Sequence, residues 1–167
     1  MILTFFKKHL AVFVCFFLAI LVLSKMLLPG YVLALDMVWI SDVPYRWSTD
    51  ALNNSFPIYA LLHALSLIMS SWVVQKVLLV ALFFLLFYIP WKFLPFVEGA
   101  LARVFAAGIF ALNPFVYTRV LSGQWLHLLG YAFLPLLLYA LVRLSDKLDR
   151  RSAGIFFLAL FLIGLFS

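Results

Sequence analysis

Four apolar runs in this chain, at about 10–28, 72–89, 101–117 and 125–142, each approach the length a helix needs to cross a bilayer, about 20 residues. No other feature restricts the fold as much, because a backbone in hydrocarbon must satisfy its own hydrogen bonds, which only helices and closed barrels do. The sequence therefore predicts an all-α, polytopic helical membrane protein. Its composition agrees: 68% of the 167 residues are hydrophobic and 11% are charged, against about 25% charged in a soluble domain. A fifth apolar run starts near Ala153 and is unbroken at Ser167, so the expectation is four full spans, a truncated fifth at 153–167, and a chain that is the N-terminal part of a longer one. Residues 1–167 are expected to form one transmembrane domain.

Lys7 and Lys8 precede the first apolar run, as in a secretory signal. That run covers 19 residues, longer than the about 7 to 15 of a signal core, and no small-x-small cleavage pattern closes it. It is read as a retained span. The single cysteine, Cys15, lies inside it and leaves no intrachain disulfide to form.

The stretch FPIYALLHALSLIMS, 56–70, is apolar but short for a span. At about 100° per residue, Tyr59, His63, Ser66 and Ser70 fall on one stripe while Ile58, Leu61, Leu65 and Ile68 face away, which predicts an amphipathic interfacial helix. Charge counting favours this reading. With 56–70 on the surface, eight of the twelve basic residues lie on one side of the membrane: Lys7, Lys8, Lys92, Arg103, Arg143, Lys147, Arg150 and Arg151. The positive-inside rule makes that side, and the N-terminus, cytoplasmic. The long loop 29–71 and the turn NPFVYTRVLSGQW, 113–125, then both face outward. The net charge of +6 is accounted for by topology, and no nucleic acid partner is expected.

The outer loop holds Asp36, Asp42 and Asp50, three of only six acidic residues. Acidic residues contribute little to orientation. Asp42 and Asp50 sit among turn formers and can be ordinary loop polarity. Asp36, in YVLALDMVWI, is flanked by apolar residues close to the membrane exit, where an unpaired carboxylate is costly. It is a candidate general base or metal ligand, with a paired structural role as the alternative. In the second outer element, Arg119 either snorkels to lipid phosphate or offers a forked donor to a substrate phosphate, with Gln124 and His127 close by. Lys76, near the outer end of the second span, is a further cation on that side. The three histidines are scattered, and no spacing matches a zinc site. Nucleotide-binding and hydrolase motifs such as GxGxxG and GxSxG are absent from the sequence.

Several features together resemble the start of the GT-C superfamily of integral-membrane glycosyltransferases. They are a first span led by Lys7 and Lys8, a long outer loop with an early acidic residue (PGYVLALDMVW), the interfacial stretch FPIYALLHALSLIMS, and then closely spaced spans. The phrase LNPFVYTRVLSGQWLHLLGYAFLPL is similar to a stretch of prokaryotic multi-spanning proteins of this kind. The resemblance implies a prokaryotic plasma membrane and a polyprenyl-phosphate sugar donor used on the extracytoplasmic face. It further implies a glycan, lipid or protein acceptor. Asp36 would be the catalytic carboxylate, with Asp42 as second choice. Arg119, Gln124, His127 and Lys76 would be the groups around the donor. A divalent metal is compatible with the superfamily, although its paired acidic patterns, Asp-x-Asp and Asp-Glu, are absent here. Two other classes compete: a lipid-linked-oligosaccharide flippase or transporter fragment, and a non-catalytic membrane subunit.

Overall fold

A computed structural model describes residues 2–37 and 56–166. Among these residues the protein is all-helical in its regular secondary structure, with no strand. Helix α1 (Ile2–Leu23) runs into a 3-10 turn (Ser24–Leu27) and leaves the bundle at Pro29 and Gly30. After α2 (Phe56–Ser66) come α3 (Ser71–Phe93), α4 (Ala100–Ala111), α5 (Pro114–Leu121), α6 (Trp125–Ala132), α7 (Leu134–Asp146) and α8 (Arg150–Leu165).

Helix α3 is the centre of the bundle. Its buried residues, among them Val74, Leu78, Leu79, Leu82, Phe83, Leu86 and Phe87, cover more than half of its circumference, and the side left exposed, at Val77 and Ala81, is apolar too. A helix that is apolar on every side belongs inside, and α3 packs against α1, α4, α6 and α7. On α1 the packed stripe is Cys15, Ala19 and Leu23, spaced at i, i+4 and i+8. Ala140 on α7 and Ala159 on α8 are both fully buried, as expected where small residues let helices approach closely in lipid.

Among the described residues, three helical stretches are long and apolar enough to cross a membrane: Leu10–Leu27, Ser71–Phe93 and Trp125–Asp146. The outward surface of the bundle is apolar too, with Phe17, Leu101, Phe105, Phe157 and Phe161 largely exposed. Such a belt would drive aggregation in water and suits a lipid surrounding.

Two expected elements differ in detail. The run 101–117 forms two helices, α4 and α5, with a 41° bend at the break. Pro114 cannot donate a backbone hydrogen bond and pushes the residue before it out of the helical region, and Asn113 is accordingly extended (φ −80°, ψ 164°). Asn113 then restarts the helix as an N-cap, its Oδ1 accepting from the Val116 amide at 3.0 Å. The stretch 56–70 is helical only to Ser66, and its packed residues are Ile58, Leu62, Leu65 and Met69. Leu61 and Ile68, expected on the apolar face, are exposed. The packed stripe is thus rotated from the one the polar residues suggested.

Candidate functional site

The segment leaving α1 and the turn between α5 and α6 meet at one end of the bundle. Each is built by local rules. Helix α5 closes in a Schellman motif: the Gly123 amide donates to the Val120 carbonyl at 3.0 Å and the Gln124 amide to the Arg119 carbonyl at 2.9 Å. Gly123 takes the left-handed conformation this requires (φ 76°). It also lies against the other segment, because a Cβ there would stand 2.5 Å from the Met37 amide nitrogen. On the opposing side, Met37 donates to the Ala34 carbonyl at 3.0 Å, closing a tight turn that carries Asp36 at its tip. The Asp36 amide reaches across to the Ser122 carbonyl at 2.9 Å.

That backbone contact places three side chains in a line. Arg119 Nη1 donates to Gln124 Oε1, and Gln124 Nε2 donates to Asp36 Oδ2 at 3.0 Å. The amide of Gln124 therefore joins a cation to a carboxylate without their touching. Its orientation follows from charge, since its oxygen faces the guanidinium and its nitrogen faces the carboxylate. The Arg119 guanidinium also lies 5.2 Å from the Phe115 ring centre, a cation–π contact. Its Nε is buried and has no acceptor among the described residues. Asp36 is exposed, and only its Oδ2 is engaged among the described residues. Among the described residues the second carboxylate oxygen of Asp36 and the Nη2 group of Arg119 have no hydrogen-bond partner.

Deeper polar contacts hold this arrangement in place. Gln75, fully buried on α3, grips the backbone of Val32 from both sides: its Nε2 donates to the carbonyl at 2.7 Å and its Oε1 accepts from the amide at 2.8 Å. Asn113 donates to the Tyr131 hydroxyl at 2.8 Å, tying the α4–α5 break to α6. The Tyr131 ring stacks on Phe110 with centres 4.3 Å apart. A cavity of about 390 Å³ with mostly apolar walls, including Leu23, Ala34, Val116, Val120 and Leu121, adjoins the line through Ala34 and Val120, although none of the three side chains lines it.

The other residues singled out from sequence fall elsewhere. Lys76 is buried, donates to the Met26 carbonyl and lines a groove between α1 and α3. His127 is exposed and takes no part in the line. Asp42 and Asp50 lie outside the described residues. Gln75 and Tyr131 were not anticipated; the signal for Gln75 was a glutamine inside the apolar run WVVQKVLLV, where an unsatisfied amide is expensive. Among the described residues no three His, Cys, Asp or Glu side chains come together. Asp36, the one carboxylate in the line and one amide away from an arginine, does not by itself make a site for a divalent cation.

No protein-family model matches the chain, and neither a curated protein nor a solved structure is similar to it.

Proposed function

We propose that the protein is a membrane glycosyltransferase of the GT-C kind, with a cytoplasmic N-terminus, four spans and an interfacial helix. It would transfer a sugar from a polyprenyl-phosphate donor to an acceptor hydroxyl on the extracytoplasmic face. The observation that carries this reading is the Asp36–Gln124–Arg119 line, assembled from segments 88 residues apart in sequence. It offers a carboxylate and a guanidinium at a fixed separation beside an apolar cavity. Asp36 would accept the proton of the acceptor hydroxyl as that oxygen bonds to the anomeric carbon. The bond from that carbon to the phosphate oxygen breaks, and Arg119 holds the charge left on the phosphate. The cavity would take the first part of the polyprenyl chain. No metal enters any of these steps.

Transfer by the protein in membranes, assayed with polyprenyl-phosphate sugars, tests the reading. Asp36→Asn should lower it by about 10²- to 10⁴-fold and Arg119→Ala by about 10²- to 10³-fold. Normal transfer by both variants, inserted at normal levels, would overturn the assignment. The mutual satisfaction of the three side chains supports a second reading, a non-catalytic subunit in which they only lock the loop. Gln124→Ala would then weaken stability with no transfer to lose.

A further inference from the structure

At the other end of the bundle, α3 and α7 finish and α4 begins around a pocket of about 620 Å³. Lys92, Arg103, Arg143 and Lys147 line it together with two carboxylates, Glu98 and Asp146. Arg103 is occupied with structure: its Nε donates to the Val97 carbonyl at 3.1 Å, and its Nη1 lies 3.4 Å and 3.5 Å from the Trp91 and Lys92 carbonyls. It fastens the turn between α3 and α4, in which Phe96 adopts a left-handed conformation (φ 66°) and is 84% exposed.

Of the other three cations, Lys92 and Arg143 are oriented by neighbouring side chains and Lys147 is exposed. The Lys92 ammonium sits 5.1 Å and 5.5 Å from the ring centres of Phe93 and Tyr88. Arg143 Nη1 donates to the Tyr139 hydroxyl at 2.9 Å, which leaves its remaining donors pointing elsewhere. Neither lysine nor Arg143 forms an ion pair with Glu98, Asp146 or any other described carboxylate. Asp149, whose carboxyl is held below its usual range first by Ser152, feels Arg143 only as a more distant charge. It is engaged in capping α8, with the Ser152 amide 2.6 Å from its Oδ1.

We infer that this pocket binds the phosphate group of an anionic phospholipid from the leaflet at that end. Two physical arguments select a lipid over a free anion. The pocket lies at the ends of the apolar helices, which is headgroup depth, and basic clefts between membrane helices at this depth favour anionic headgroups. Its remaining walls, Phe93, Leu94 and Val142, are apolar and suit the glycerol and the first acyl carbons. Arg143 would meet the phosphate in a forked contact, with Lys92 and Lys147 as point charges.

Native mass spectrometry of the purified protein with phosphatidylglycerol or phosphatidylcholine tests this. The protein should retain a phosphatidylglycerol molecule preferentially, and the double variant R143Q/K147Q should bind it about tenfold or more weakly. R150Q/R151Q removes the same charge from the same end but spares the pocket, and should stay within about twofold. Equal losses in the two double variants, or equal retention of the two lipids, would overturn the inference. So would inorganic phosphate that displaces the lipid as well as more lipid does. Should R143Q/K147Q lose helical content, Lys92→Gln replaces it, with about fivefold weaker binding expected and unchanged binding as the contrary result.

Discussion

At the Asp36 end of the bundle, polar side chains are joined to one another and to backbone groups of distant segments. At the Lys92 end, cations are joined to nearby carbonyls, rings and a hydroxyl. Gln75 and Lys92 mark the two ends on a single helix, 17 residues and about 25 Å apart. The difference concerns what each polar group is for. In the first region Gln75 and Asn113 satisfy groups that would otherwise be shielded from water and unpaired, so removing one strands its partner. In the second, Lys92, Arg143 and Lys147 are partly exposed and repel one another, so removing one of them strands little and relieves some repulsion.

Mutations at the two ends should therefore differ in size, and stability measured by thermal unfolding in micelles can break or sharpen the contrast. Gly123→Ala should have the largest effect, about 4 kcal/mol, because it forces a left-handed alanine and drives its Cβ into the Met37 backbone. Gln75→Leu comes next at about 3 kcal/mol, since the half-buried amide and carbonyl of Val32 both lose their partner. Asn113→Ala removes the cap of α5 and the partner of Tyr131, for about 1 to 2 kcal/mol. Lys147→Gln should be smallest, within about 0.5 kcal/mol. If Lys147→Gln cost as much as Gln75→Leu, the distinction between the ends would fail.

How far the sequence reveals this molecule depends on the range of the interaction involved. The apolar runs, the break at Asn113-Pro114 and the closing Ser122-Gly123 are legible because length, missing donors and glycine conformation act within one or two turns. The meeting of Asp36 with the α5–α6 turn could be framed as a question from topology alone, because both segments fall on one side by charge count. Its answer required the fold. The Gln75 clamp spans 43 residues and leaves only a stray amide in an apolar run as its trace. Lys76 looks like a free outer cation in sequence, yet it is one residue from Gln75 and turns to the Met26 carbonyl instead. Helix α2 misleads for a related reason. The polar stripe of Tyr59 and His63 marked its wet side, but its packing is set by Leu62, and the Tyr59 ring meets buried Trp125 in a T-shaped pair with centres 6.1 Å apart.

The most direct measurement is a proximity test at the Asp36 end. In a Cys15→Ser background, which removes the only cysteine, Asp36→Cys paired with Ser122→Cys should be joined in membranes by a short bifunctional maleimide. Asp36→Cys paired with Lys147→Cys should not. A membrane-impermeant thiol reagent should reach positions 36 and 122 from the same side. Absence of the 36–122 cross-link, or labelling of the two positions from opposite sides, would contradict the arrangement on which the proposed transfer depends.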